Sequence, residues 1–121
     1  MTSYEALRRR LPDERSSITH RFVIGPQKVY LTVGLFEDGT PGEIFLDTSK
    51  AGSTVSGLAD GWATLFSIAL QSGVPLTKLI EKSKDVRFEP SGRTSNKEIP
   101  EASSIFDYVA RWLELKFPRS G

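Results

Sequence analysis

The hydrophobic period of this chain changes once. Between residues 18 and 48 apolar side chains recur at every second position; from about Ser53 onward they recur every three or four. A period of two marks a strand with one buried face, and a period near 3.6 marks a helix. Strands therefore come first and helices second. That order excludes a doubly wound parallel sheet, in which the two alternate. It predicts an α+β domain: a three-stranded antiparallel meander followed by two or three helices packed on one face.

The strand half divides at its turn signals. Residues 18–24, ITHRFVI, put Ile18, His20, Phe22 and Ile24 on one face. His20 is expected there as a hydrogen-bonded structural residue rather than a ligand or base. Gly25-Pro26-Gln27 reads as a turn. Residues 28–36, KVYLTVGLF, send Val29, Leu31, Val33 and Leu35 to one side, and Gly34 leaves a gap that another element can fill. Glu37 to Gly42 forms a second turn, and residues 43–48, EIFLDT, pair back as the third strand.

The helical half opens with Lys50 to Gly73, KAGSTVSGLADGWATLFSIALQSG. Val55, Leu58, Trp62, Leu65 and Ala69 predict one apolar stripe over about Ser53–Gln71. Ala59, Ala63, Phe66 and Leu70 widen it, so that little of the helix is left for water. Ser53 or Thr54 is the expected N-cap and Gly73 the stop. Pro75 starts a shorter helix with Leu76, Leu79 and Ile80 inward, and Lys82, Lys84 and Arg87 gather near its end. Residues 86–99 read mostly as loop, anchored by Phe88. A last helix is predicted from about Pro100 to Phe117, with Ile105, Val109, Trp112, Leu113 and Lys116 on one stripe. Asp107 and Arg111 lie at i, i+4 and would contribute about 0.3–0.5 kcal/mol if exposed. Trp62, Phe66, Tyr108, Trp112 and Phe117 fit either a core or an interface, including one between copies of the chain.

Composition narrows the function classes. The 121 residues suit one domain, read as residues 18–121 behind a polar arm, 1–17, with a short helix from Tyr4 to Leu11. Arg8, Arg9 and Arg10 stand near Glu5, Asp13 and Glu14, so the arm is read as solvated rather than as a nucleic-acid contact. A net charge of +1, from 16 Lys and Arg against 15 Asp and Glu, gives no general attraction to DNA or membranes. The chain has no cysteine and one histidine. Thiolate zinc sites, cysteine nucleophiles, disulfides and multi-histidine metal sites are therefore excluded for it alone, and no metal or cofactor is expected. No apolar run is long enough to span a bilayer, and the first residues lack the apolar centre of a signal peptide. A cytoplasmic protein without membrane contact is the expectation.

Two polar segments are candidate ligand contacts. The first joins Lys50, Ser53, Thr54 and Ser56 at a helix N-terminus, where free N–H groups favour an anion such as phosphate. It lacks the Gly-Lys-Ser/Thr of a P-loop, and an ordinary capped helix explains it as well. The second joins Arg87, Ser91, Arg93, Thr94 and Asn96 around a glycine turn. It suits phosphate or the acidic surface of a partner, and taken alone it reads as a solvated connector. No base–nucleophile pair is visible. Asp60, within the long helix, is expected to bond a neighbouring Ser, Thr or Arg.

The run VYLTVGLFEDGTPGEIFLDTSKAGSTVSGLADGWATLFSIALQSGVPL, followed in order by RFEPSG and IFDYVARWLELKF, resembles the C-terminal accessory (TSCPD-type) domain of vitamin B12-dependent, class II ribonucleotide reductases. The resemblance spans roughly Ile18 to Phe117. It implies a domain that accompanies a catalytic barrel, with a reductase catalytic subunit as possible partner. The family's radical chemistry needs cysteines, so a non-enzyme is expected, acting through protein contact or nucleotide binding. The alternative is a stand-alone module, phage-borne or regulatory, that holds a nucleotide between the two polar segments.

Overall fold

The computed structural model describes residues 8–48 and 52–118. Its first half is the expected meander, β1 (Ser17–Ile24), β2 (Gln27–Leu35) and β3 (Pro41–Asp47), in the order β1-β2-β3. Phe22 pairs with Val29, Leu31 with Leu46 and Val33 with Ile44, and each of these is buried. The inner face is therefore continuous across the sheet. The β1–β2 turn needs glycine twice over: Gly25 has φ 55°, and a Cβ there would lie 2.9 Å from the Ser91 carbonyl oxygen. The gap at Gly34 is filled by the Glu43 side chain, whose carboxylate also meets the Arg15 guanidinium at 2.5 Å.

Three helices follow: α1 (Ser53–Gln71), α2 (Leu76–Ser83) and, after the two-residue strands β4 (Gly92–Arg93) and β5 (Glu101–Ala102), α3 (Ile105–Lys116). The core joins the inner sheet face to Ala59, Ala63, Phe66 and Leu70 of α1, Ile80 of α2 and the stripe Ile105, Tyr108, Val109, Trp112 and Leu113 of α3. The Phe22 and Tyr108 rings stack at 3.7 Å between centroids. These elements are the α+β architecture that the period change predicts. Among the described residues no helix is long and apolar enough to cross a membrane.

The phase of α1 corrects the expected stripe. Leu58 is 61% exposed and Leu65 69%, while the buried line is Ala59, Ala63, Phe66 and Leu70. The cause is the open edge of β3. A strand edge presents N–H and C=O groups that must find partners. Helix α1 runs along this edge and supplies them: Ser67 Oγ accepts from the Ile44 N–H (2.9 Å), and Gln71 Nε2 donates to the Gly42 carbonyl (3.0 Å). Turning Ser67 and Gln71 to the strand rolls Leu58 and Leu65 out to solvent.

The helix ends also differ in detail. Gly52, with φ 89°, is the N-cap of α1, and neither Ser53 nor Thr54 caps with its side chain; both are exposed. The other end is as expected: Gly73 has φ 94°, its N–H reaches the Leu70 carbonyl, and the Val74 N–H reaches that of Ala69 (3.0 Å). Helix α3 starts at Ile105 rather than Pro100, because Glu101 and Ala102 pair with Arg93 and Gly92 and Ser104 caps the helix by accepting from the Asp107 N–H (3.0 Å). The 86–99 loop thus holds a strand of its own. It closes the other edge of the sheet: Ser95 N–H donates to the Val23 carbonyl (3.0 Å), the Val23 N–H to Ser95 Oγ (2.9 Å) and the Gly25 N–H to the Arg93 carbonyl (2.9 Å).

Of the N-terminal arm, Arg8 and Arg9, the first described residues, dock on the end of α1 and on the β2–β3 turn. Arg8 Nε donates to Gln71 Oε1 (2.7 Å), and the Arg9 N–H to the Gln71 carbonyl (2.6 Å). The Arg9 guanidinium lies 3.8 Å from the Phe36 ring centre and 3.0 Å from Asp38. The Thr40 hydroxyl and N–H, with Arg9 beside them, hold the Asp38 carboxyl down to about 2. Of the expected Tyr4–Leu11 helix, residues 4–7 lie outside the described residues, and residues 8–11 are not helical.

The edge argument predicts an inversion of the usual ranking along α1. Ser67→Ala strands the Ile44 N–H and is expected to cost about 1–3 kcal/mol. Leu65→Ala, on the exposed flank, is expected to stay within about 0.5 kcal/mol. Urea unfolding of the two variants measures both.

Candidate functional site

Two consecutive residues of α3, Asp107 and Tyr108, hold the 85–103 segment from two sides. Successive helical residues project about 100° apart, so neighbouring side chains serve different surfaces. A cleft opens at each.

Asp107 is 2% exposed. Its Oδ1 accepts from the Asp85 N–H (2.7 Å) and Arg111 Nε (3.0 Å), and its Oδ2 from the Ser103 N–H (3.0 Å). Burial pushes the carboxyl pKa up, but the Asp85 and Ser103 N–H groups and the Arg111 guanidinium outweigh it and hold it below the ordinary value. Asp85 sits at φ 64° and turns its own carboxylate to Arg111 (2.9 Å). Arg111 therefore bridges two acids; it forms the expected i, i+4 pair with Asp107, and that pair is buried on the Asp107 side. The cleft here, about 320 Å³, is walled by Arg87, Ser91, Glu101 and Arg111.

On the other side, the Tyr108 hydroxyl lies 2.8 Å from His20 Nε2 and accepts from Asn96 Nδ2 at 3.0 Å. His20 is thus hydrogen-bonded within the structure, as its place on β1 predicts. Its ring stacks on Trp112 at 5.0 Å. Burial, helped by the charge of Lys116, lowers the His20 pKa; burial raises that of Tyr108. The adjoining cleft, about 620 Å³, is walled by His20, Arg21, Ser95, Lys97, Glu98 and Lys116.

The candidate residues fall into these surroundings unevenly. Lys50 lies outside the described residues. Ser53 and Thr54 are exposed in the first turn of α1. Ser56 Oγ donates to the Thr48 carbonyl (2.8 Å), tying α1 to the end of β3. Arg87 and Ser91 line the smaller cleft, and Ser91 also donates to Glu89 (3.2 Å). Arg93 is exposed on β4 and engages the β1–β2 turn through its carbonyl. Thr94 Oγ1 bonds the Ile99 carbonyl and accepts from the Asn96 N–H (3.0 Å). Asn96 serves Tyr108 and borders the larger cleft. Ser53, Thr54 and Ser56 line neither cleft, so neither brings the two segments together. Asp60 is exposed; its carbonyl, not its carboxylate, accepts from Thr64 Oγ1 (2.9 Å). Asp85, Lys97, Asp107 and Tyr108 were not among the candidates. The Ser104-x-x-Asp107 cap pattern was the available signal, masked by reading the helix from Pro100.

The TSCPD domain model matches residues 3–117. This chain belongs to the TSCPD domain family. Among its relatives, a vitamin B12-dependent ribonucleotide reductase of Rhodopirellula baltica is 51% identical over 114 residues, covering 94% of this chain and 11% of the relative. Proteins of the same name from Streptomyces coelicolor and Bradyrhizobium diazoefficiens are each 40% identical, over 117 and 111 residues, covering 12% and 9% of their length. The chain thus spans about a tenth of the length of these three relatives. No solved structure matches it significantly.

These relatives correct the expectation of a non-enzyme. They carry the name of an enzyme, and nearly all of this chain aligns within them. The inference from missing cysteines and a missing base–nucleophile pair looked only at these residues, whereas in the relatives about nine-tenths of the chain lies outside the matching stretch and can supply reacting groups. The relatives' name also implies cobalamin. Neither of the two clefts beside α3, both walled largely by charged and polar side chains, offers the broad apolar face that suits such a macrocycle.

The Asp107 network sets an acid response. A carboxylate with a depressed folded-state pKa stabilises fully above its unfolded value of about 4, and this contribution is lost as pH falls through the folded value. Asp107→Asn is expected to destabilise by about 2–3 kcal/mol at neutral pH, where the charge-assisted bonds are intact. Below about pH 4 its deficit should narrow. Urea unfolding at a series of pH values tests both statements.

Proposed function

We propose that this chain serves as the TSCPD module of a vitamin B12-dependent ribonucleotide reductase and acts by contact with the rest of that enzyme. The observation that carries the reading is the 51% identity over 114 residues to a reductase of which that stretch is 11%. The surface supports it. Leu58 and Leu65 stand out from α1 one turn to either side of Trp62. The Trp62 indole stacks on Phe106 at 4.2 Å, and Phe106 meets Phe88 edge-on at 4.7 Å. An apolar flank with aromatic backing is the composition of an interface centre.

The paired variant Leu58→Asp/Leu65→Asp tests this. Both side chains are exposed, so the fold should survive, as circular dichroism will report. Co-purification with a cognate reductase catalytic chain should fall by about tenfold or more, as loss of two apolar anchors requires. Unchanged association would refute the contact surface. A second reading, a phosphate-bearing ligand held by the chain itself, is favoured by one observation: Arg21, Lys97 and Lys116 all border the larger cleft, which carries one carboxylate, Glu98, and none of the three has an ion-pair partner among the described residues.

A further inference from the structure

We propose that the cleft beside His20 is a binding site for a di- or triphosphate group, with His20 preset as a neutral hydrogen-bond donor through its Nδ1. The proposal rests on the second reading above, is independent of the contact surface on α1, and names the site and its chemistry.

The argument starts from Asn96. Its Oδ1 accepts from the Glu98 N–H (3.0 Å), which fixes the amide so that Nδ2 faces the Tyr108 hydroxyl (3.0 Å). An amide N–H₂ can only donate, so the hydroxyl oxygen accepts there. That leaves the hydroxyl's single proton to give, and the acceptor within reach of it is His20 Nε2 at 2.8 Å. A ring nitrogen that accepts carries no proton, and the neutral imidazole holds its hydrogen on Nδ1. Burial and the Lys116 charge favour that neutral form.

Nδ1 has no protein partner. Among the described residues every buried side-chain nitrogen or oxygen does have one, so Nδ1 is open to solvent, and the solvent His20 borders is the cleft. The ring is held at that angle by Trp112, Phe22 and Tyr108, stacked at 5.0, 5.9 and 5.9 Å.

The rest of the wall has the same polarity. Ser95 Oγ accepts from the Val23 N–H (2.9 Å) and so keeps its own proton to give. Lys97 and Lys116 supply two cations against one carboxylate, Glu98, and Arg21 borders the cleft from the opposite face of β1. A cleft of about 620 Å³ rich in donors and short of acceptors suits an oxyanion with more than one phosphate, and exceeds what a single phosphate fills.

The test uses the full chain and inorganic pyrophosphate, with ATP as the second arm. Since the protein has one histidine, its imidazole ¹⁵N signals are unique. In the free protein they should report the Nδ1–H form, and pyrophosphate should shift them with saturable heat in calorimetry. Lys97→Ala/Lys116→Ala, both exposed positions, should weaken binding by about tenfold with the thermal midpoint unchanged. Tyr108→Phe should scramble the tautomer; if it does not fold, the lysine variant still decides. Equal affinity for ATP and pyrophosphate identifies the phosphates alone as the recognised group, and tighter ATP binding adds the nucleoside; both support the site. An Nε2–H imidazole in the free protein, no response to millimolar pyrophosphate, or wild-type binding by the lysine variant overturns it. None of these results bears on association with a reductase chain, so the two readings fail separately.

Discussion

A three-stranded sheet has two edges for every middle strand, and the hydrogen bonds that satisfy those edges organise this molecule. On the β3 side the partners are Ser67 and Gln71 of α1; on the β1 side they are Ser95 and the backbone around Arg93. Backbone N–H and C=O groups left open at an edge must bond to something, and each unmade bond in a buried setting costs more than a made one contributes. The roll of α1 about its axis, the path of the 92–96 segment and the seat of the N-terminal arm on Gln71 all follow from that demand.

This explains what could be read from the residues and what could not. The strand faces were legible because period two is a local property: Phe22, Val29, Leu31, Val33 and Ile44 point inward as their spacing says. The extent of α1 was legible from its glycines and its apolar density. Its phase was not. Two apolar stripes, one through Leu58 and Leu65 and one through Ala59 and Phe66, are equally periodic, and only the position of a distant strand edge chooses between them. The start of α3 was misplaced for a related reason. Glu101 and Ala102 carry no strand signal of their own and are extended because Gly92 and Arg93 lie beside them.

The candidate ligand residues teach the same lesson in polar terms. Ser56, Thr94 and Asn96 were conspicuous as hydroxyls and an amide in loops and at a helix start. Each is occupied in holding one segment to another: Ser56 with Thr48, Thr94 with Ile99, Asn96 with Tyr108. Buried or half-buried polar side chains in a small domain are consumed first by its own backbone. Of the groups left over, Arg87 on the smaller cleft was legible from its loop, whereas Arg21, Lys97 and Lys116 on the larger one were not, because single surface cations are common.

Asp107 and Tyr108 stand side by side on one turn of a rigid rod, and between them they hold a stretch of about twenty residues that has little regular structure of its own. Such a stretch has no private stability: its amides are shielded only while both anchors are set. It should therefore open to hydrogen exchange as a unit with the first turns of α3, and not residue by residue as an ordinary surface connector does.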